Sequence, residues 1–341
     1  MWLISSSIGR KFVMAITGIC LVLFVTFHVL MNAVALIWPT AYNAVCEFLG
    51  ANWYALVASA GLAALFIIHI IYACWLTLQN RKARGNDRYA INGKAPHVEW
   101  SSKNMLVLGI VVLAFLVVHL VQFWAKMQLQ ELMHGDLATL PTVAQAPAAP
   151  HFGTLFLQAA FSYWWTPVVY IIGFVALWFH MNHGFWSMFH TIGWDNNIWL
   201  NRLKTISCWW TSIVVALFIA QAVVFTVQAK NQFFLTDEGL QEQYAEYWAE
   251  QAEQVNADFS ADIQKAIDAA GEDQIARRNA QILFFVEQAP AYLDRANLIV
   301  NAAEKQAPAV SNMAIAQLKQ FAQNVEQTIA QAQTMQNTNN Q

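Results

Sequence analysis

The chain has 341 residues, of which 57% are apolar and only 11% are charged. Soluble domains carry about 25% charged residues, so this composition excludes an ordinary soluble protein and indicates lipid as the solvent for much of the chain. Charge also divides the chain: residues 1–229 hold 11 Lys and Arg against 6 Asp and Glu, whereas residues 230–341 hold 7 against 15. The first region is therefore net +5 and the second net −8, which indicates two regions with different surroundings.

Five apolar runs reach the length of about 20 residues that a membrane-spanning helix needs. They cover 12–38, 53–78, 105–127, 164–189 and 206–229, and none of them contains Asp or Glu. A helix satisfies the backbone polar groups of such a run where no water is present. The sequence therefore predicts an all-α fold, with a five-helix transmembrane bundle over 1–229 and a C-terminal helical extracytoplasmic extension over 230–341.

Basic residues mark one side of the predicted bundle. Before the first run and in the second and fourth connections lie Arg10, Lys11, Arg81, Lys82, Arg84, Arg88, Lys94, Lys103, Arg202 and Lys204. The connections 39–52 and 128–160 carry no Lys or Arg. Because short cytoplasmic loops are enriched in Lys and Arg, we expect a cytoplasmic N-terminus and an extension on the outer side of the membrane.

The connections and the extension have their own local patterns. We expect a short amphipathic helix between Thr40 and Gly50 and an irregular cap over 128–160. Gly271, Pro290 and Pro308 divide the acidic, Ala- and Gln-rich extension into helical pieces. The last piece carries an apolar stripe suited to helix packing or partner docking, formed by Leu318, Ala322, Val325, Ile329 and Ala332.

Four of the five histidines inside the runs occupy equivalent positions. His28, His69, His119 and His180 each lie about two thirds of the way along their run in chain direction. Because successive spans are antiparallel, His28 and His119 fall in the outer half of the membrane, and His69 and His180 fall in the inner half. At 1.5 Å rise per residue the two layers are roughly 10 Å apart.

Two buried imidazoles at one depth are the axial ligands of a b-type haem, whose closed coordination sphere transfers electrons without binding oxygen. The four histidines therefore predict two haem b groups, an outer one on His28 and His119 and an inner one on His69 and His180. His180 and His183 are both candidates for the iron ligand of this span, and depth favours His180. His183 is then expected to contact a haem propionate or a quinone. Four histidines that only pack helices are the alternative, and tetrahedral zinc lacks the Cys or carboxylate ligands that it needs.

Two further features accompany the histidines. Gly18, Gly61, Gly109 and Gly173 lie 10, 8, 10 and 7 residues before them, where a residue without Cβ lets a haem or a neighbouring helix approach. Glu47 is the one acid in 39–52. It is the candidate for proton exchange with a quinone, with a solvated surface acid as the alternative.

The chain resembles a known family in three places. These are the opening Ser5-Ser6-Ser7-Ile8-Gly9-Arg10-Lys11, then Thr17-Gly18 followed by His28, and above all the run Phe179-His180-Met181-Asn182-His183-Gly184-Phe185-Trp186-Ser187. Over about 1–229 the sequence is similar to the cytochrome b membrane anchor of succinate dehydrogenase and fumarate reductase, in its single-chain, five-helix, di-haem, Bacteroidetes-like form. The extension over 230–341 departs from the usual length of that family.

The resemblance implies a function for the chain. The chain would be an anchor in a bacterial inner (cytoplasmic) membrane, with the extension in the periplasm. It would join a flavoprotein subunit and an iron–sulfur subunit on the cytoplasmic side and pass electrons between iron–sulfur clusters and menaquinone, while dicarboxylate chemistry stays on the partners. It implies His28, His69, His119 and His180 as ligands, and it favours His180 over His183. Some members carry an acid two residues before the fourth ligand, where this chain has Trp178, which speaks against such a proton route here. The other interpretations are an anchor for a different membrane dehydrogenase and a haem-free helical scaffold.

Overall fold

The computed structural model describes residues 6–50, 52–84, 99–133 and 137–339. Ser5 of the family-like opening and the basic residues Arg88 and Lys94 lie outside them. The described part contains thirteen α-helices. In chain order they are α1 (Ser7–Ile37), α2 (Pro39–Phe48), α3 (Trp53–Arg84), α4 (Trp100–His119), α5 (Gln128–Leu132), α6 (Gly153–Phe161), α7 (Trp165–Thr191), α8 (Trp199–Lys230), α9 (Phe233–Thr236), α10 (Glu238–Ala269), α11 (Gln274–Glu287), α12 (Ala289–Gln306) and α13 (Met313–Asn339).

The five predicted spans correspond to α1, α3, α4, α7 and α8, all of which are long and apolar enough to cross a membrane. The helix of α4 continues through one π-helical turn, Leu120–Trp124, before it ends. The prediction of an all-α fold with five spans is confirmed. By the length and composition of these five helices, the chain is a multi-pass membrane protein. Several of these helices extend beyond the apolar runs and include polar residues at their ends.

Local sequence explains how the first two helices meet. The Ser6 side chain accepts a hydrogen bond of 2.9 Å from Gly9 N and caps α1. Trp38 leaves the helical conformation, and Pro39 then occupies the first turn of α2, where its missing N–H is not needed. The short helix expected between Thr40 and Gly50 is confirmed as Pro39–Phe48.

One compact unit comprises residues 1–128 and 160–230 and contains the five spans. Side chains of its helices bond to neighbouring backbones inside the bundle. Buried Gln221 on α8 donates to Val29 O at 2.8 Å, and Ser207 Oγ donates to Asn182 O. Such bonds between helices are frequent where lipid provides no other partner.

The second compact unit comprises residues 129–159 and 231–341. Sequence analysis placed 128–160 with the five-span region over 1–229, but the structure assigns 129–159 to the unit that contains the extension over 230–341. A buried polar contact contributes to this grouping: fully buried Gln306 donates to Pro147 O at 2.6 Å and accepts from Trp248 Nε1 at 2.9 Å. Residues 128–160 are also partly regular, with a two-stranded antiparallel hairpin of β1 (Thr142–Val143) and β2 (Ala146–Pro147).

The extension is helical and breaks near the predicted residues. Gly271 has φ +78, a left-handed conformation that glycine adopts readily, and it separates α10 from α11. Pro290 lies in the first turn of α12, and Pro308 follows its end. The stripe of α13 is at most 9% exposed along its whole length, because it packs within this unit against residues such as Phe284 and Ala289.

Candidate functional site

The four predicted histidines form two close pairs within the five-span unit. The ring centroids of His28 on α1 and His119 on α4 are 5.7 Å apart, with an angle of 86° between the planes. Those of His69 on α3 and His180 on α7 are 6.3 Å apart at 66°. The structure thus brings together the same two pairs that were predicted from the depth of each histidine in the membrane. In each pair the two histidines lie on different spans.

The distances within the pairs are compatible both with ring–ring contacts between helices and with two ligands on opposite sides of one metal ion. Metal–imidazole bonds are about 2 Å long, so two such rings have centroids roughly 6 Å apart. All four histidines are only partly exposed in the structure.

Hydroxyl groups bond to one histidine of each pair. Nδ1 of His69 lies 3.0 Å from Oγ1 of Thr17, and Nδ1 of His119 lies 3.3 Å from the hydroxyl of Tyr170. In both rings Nδ1 therefore has a hydrogen-bond partner, and Nε2 is left for another partner. This is the arrangement of most metal-bound histidines, whose second nitrogen has a hydrogen-bond partner.

The other two histidines differ. Nε2 of His28 lies 3.3 Å from the amide nitrogen of Asn32. The same amide nitrogen donates to His28 O at 2.8 Å. The Asn32 amide therefore keeps a hydrogen-bond partner if Nε2 of His28 binds another group. Nδ1 of His180 is buried and has no hydrogen-bond partner among the described residues. An unpartnered buried polar atom costs about 1–3 kcal/mol. The described chain therefore leaves this nitrogen of His180 without the hydrogen bond that the equivalent nitrogens of His69 and His119 have.

The four glycines serve different contacts. A Cβ added at Gly109 would lie 3.6 Å from His180 Cε1, and one at Gly18 would lie 4.0 Å from His69 Cε1, so both glycines face the His69/His180 pair. Gly173 instead gives room to the Phe115 side chain of α4. At Gly61 no atom of the described chain lies within 4 Å of the added carbon. Of the two approaches expected at these glycines, that of a neighbouring helix is seen at Gly18, Gly109 and Gly173, and that of a haem stays a prediction.

His183 lies in a separate cluster, which we call the Glu99 cluster and define as Glu99, His183, Trp186 and Lys204. Glu99 Oε2 lies 3.2 Å from His183 Nδ1, Lys204 Nζ donates to Glu99 Oε1 at 2.9 Å, and the Lys204 ammonium lies 4.4 Å above the Trp186 ring. Burial alone would raise the pKa of Glu99, but its hydrogen bonds with Lys204 and His183 lower that pKa below the usual value. The cluster joins α7 and α8 to the start of α4 and gives His183 a carboxylate partner.

Glu47 is an exposed residue near the end of α2. The same helix carries Tyr42, which is buried and donates to Asn32 Oδ1 at 3.1 Å. Through Asn32 this hydrogen bond connects α2 to His28. The surface helix is thus linked to one histidine pair through Tyr42, while Glu47 faces outward.

Sequence analysis missed most polar neighbours of the His28/His119 pair. Asn32 follows His28 by four residues and Gln122 follows His119 by three, spacings that place each on the face of its histidine. Gln122 Nε2 donates to Thr166 Oγ1 at 3.3 Å and its Oε1 accepts from Tyr170 at 2.9 Å. The π-helical turn after His119 was also missed, and such turns are frequent at functional sites.

The described residues contain no group of three or more His, Cys, Asp or Glu side chains placed to hold a metal ion. A haem iron needs only two protein ligands, so this finding bears on metals held by the protein alone. No protein-family model matches the chain, and no curated protein or solved structure is similar to it.

Proposed function

We propose that the chain is the di-haem cytochrome b membrane anchor of a succinate:quinone oxidoreductase, that is, of a succinate dehydrogenase or fumarate reductase. The observation that carries the proposal is the meeting of four histidines as two pairs on four different spans. His28 and His119 hold one haem b, and His69 and His180 hold the other. When bound, haem b supplies a one-electron carrier.

The residues at both pairs fit such a group. Both centroid distances suit two axial ligands, and Nε2 of His69 and His119 is available because Nδ1 is already bonded. The missing side chains at Gly18 and Gly109 also favour a close approach beside the His69/His180 pair. An intramembrane histidine without a function would be costly, so four in register support a shared role.

The choice of enzyme rests on the family-like run Phe179–Ser187. In this proposal a flavoprotein and an iron–sulfur subunit bind on the cytoplasmic side, and menaquinone is the quinone. The N-terminus is cytoplasmic and the extension over 230–341 is periplasmic, as the distribution of Lys and Arg favours. Glu47 exchanges protons with the quinone, and its exposure on α2 gives it access to water.

The first experiment is the haem b content of the purified chain, by pyridine haemochrome assay and a reduced-minus-oxidised spectrum. Two haems per chain support the proposal, and none, in a folded preparation supplied with haem, overturns it. The second experiment is gentle purification from native membranes. A flavoprotein with covalent or bound flavin and succinate-dependent quinone reduction supports the assignment, whereas haem with a different dehydrogenase makes the chain the anchor of that enzyme.

A haem-free helical scaffold is the second candidate. It is favoured by the hydrogen bonds that three of the rings already have within the chain, to Thr17, Asn32 and Tyr170. In that case the histidine pairs act as ring contacts between spans. Haem content separates the two candidates directly.

A further inference from the structure

The direction of the hydrogen bond between Thr17 and His69 follows from the surroundings of the hydroxyl. Thr17 is 3% exposed, so water does not compete for it. Its Oγ1 lies 3.0 Å from Val13 O and 3.1 Å from Met14 O, two carbonyl groups that can only accept. The hydroxyl proton is directed to these carbonyls, so Oγ1 accepts the hydrogen bond from His69 and the proton of that ring lies on Nδ1.

The same reasoning applies to Tyr170 and His119. Tyr170 is 4% exposed and its hydroxyl donates to Gln122 Oε1 at 2.9 Å. In the structure the Gln122 amide nitrogen donates to Thr166 Oγ1 at 3.3 Å, so its oxygen is the end that faces Tyr170. With its single proton on Gln122, the Tyr170 oxygen accepts from Nδ1 of His119 at 3.3 Å.

We propose that Thr17 and Tyr170 are positioning residues that hold His69 and His119 in the Nδ1–H tautomer and so keep Nε2 of each ring as the nitrogen that binds iron. This inference deepens the proposed function and rests on it for the identity of the bound group. A hydrogen bond to the second nitrogen of a metal-binding histidine fixes the ring orientation and raises the basicity of the ligand. The effect differs within each pair, because His28 and His180 have no such hydroxyl partner among the described residues.

The placement of these residues connects the two layers. Thr17 lies on α1, the helix that carries His28 of the other pair, and Tyr170 lies on α7, the helix that carries His180 of the other pair. The separations are 11 and 10 residues, about three helical turns. Each of these two helices therefore supplies a ligand to one pair and positions a ligand of the other.

The test compares Thr17→Val, which keeps the shape and removes the hydroxyl, with Thr17→Ser, which keeps the hydroxyl. Haem retention and the midpoint potential of each haem are measured on the purified complex, with electron paramagnetic resonance of the ferric state as a ligand-geometry signature. Thr17→Val is expected to weaken retention of one haem by about 10- to 100-fold and to make its potential more positive, because the ligand becomes less basic. Thr17→Ser is expected to match the wild type.

Tyr170→Phe provides the matched result at the other pair. It is expected to alter the haem that Thr17→Val leaves unchanged, and the two variants together should alter both. Unchanged retention, potential and resonance signature in both variants would overturn the proposal. So would a Thr17→Ser variant as altered as Thr17→Val, because that result makes Thr17 a packing residue.

A haem-free measurement separates this proposal from the proposed function. Nitrogen-15 spectra of histidine-labelled, haem-free chain in lipid report which ring nitrogen carries the proton. The wild type is expected to show the Nδ1–H tautomer for His69, and Thr17→Val is expected to show a mixture. If the wild type has that tautomer but binds no haem, the positioning remains and the proposed function fails. If two haems bind but the haem-free His69 is Nε2–H, the positioning fails and the function remains.

Discussion

Replacing Gly173 by Ala tests how closely α4 and α7 pack beside the His28/His119 pair. The added methyl carbon would lie 2.7 Å from Cδ2 and 2.8 Å from Cβ of Phe115, and it would also meet Cγ. Carbon atoms pack at about 3.5–4.0 Å, so the two helices must separate by roughly 1 Å. A rotation of the Phe115 ring does not relieve the overlap, because its Cβ is fixed to the backbone of α4.

The expected energy follows from two opposing effects. Overpacking of this kind costs about 1–3 kcal/mol, while Ala is favoured over Gly in a helix by about 1 kcal/mol. Gly61→Ala gains only the second effect, since the described chain leaves its added methyl group open space within 4 Å. The difference in free energy of unfolding between the two variants isolates the overlap, and we expect about 1–3 kcal/mol against Gly173→Ala.

The assay is unfolding of the purified chain by SDS in mixed micelles, followed by helical circular dichroism. The double variant Gly173→Ala with Phe115→Leu should recover part of the loss, because neighbouring residues couple by about 0.5–3 kcal/mol. The Phe115 ring centroid is 5.0 Å from that of Tyr170 and 6.0 Å from that of His119, so its displacement should also disturb that histidine pair. Equal stabilities of Gly173→Ala and Gly61→Ala would refute the reasoning.

Three further predictions concern single side chains. His180→Ala is expected to lower haem b from two to one per chain, whereas His183→Ala keeps both because it belongs to the Glu99 cluster; loss of a haem from His183→Ala would transfer the ligand role to it. Glu47→Gln is expected to slow quinone turnover severalfold with unchanged haem content, and unaltered quinone kinetics would leave Glu47 a surface acid. Burial and the hydrogen bond that Tyr292 donates to Asp262 raise the pKa of Tyr292 to about 12, so its neutral form is favoured in the folded state. This contribution is complete below the ordinary tyrosine pKa of about 10 and is lost as the pH rises through about 12; Tyr292→Phe should flatten that alkaline loss of stability in a denaturation series, and identical pH profiles would contradict the assignment.

The spans and the meeting of the histidines were accessible from the sequence for one physical reason. Along a straight helix that crosses a layer of fixed thickness, sequence position translates into depth at 1.5 Å per residue. Antiparallel spans then place His28 level with His119, and His69 level with His180, without any knowledge of which helices are neighbours. Depth is thus encoded one residue at a time, and the absence of Asp and Glu from the runs makes their limits clear.

Lateral arrangement is not encoded in this way. Thr17 and His69 are 52 residues apart in sequence, and Tyr170 and His119 are 51 apart, so only the packed bundle reveals that they bond. Spacing to the nearest histidine could have placed Asn32 and Gln122 on the same helix face as that histidine, but it could not have given their partners on other helices. The course of 129–159 was hidden for a similar reason, since its contacts with the extension join residues far apart in sequence, such as Thr154 and Tyr244.

The hydrogen bonds of the histidines indicate that the chain itself aligns most of the site. Thr17 and His69 join α1 to α3, Tyr170 and His119 join α4 to α7, and Gln221 joins α8 to the backbone of α1. Bonds of this kind average only about 0.6 kcal/mol each in a membrane, so none of them alone determines the bundle. Because each joins a different pair of spans, together they help to hold the histidine rings in the positions seen in the structure. His180 differs, since its buried nitrogen has no such partner in the described chain. We therefore expect the binding of haem to stabilise α7, the helix of His180, more than α4, the helix of His119.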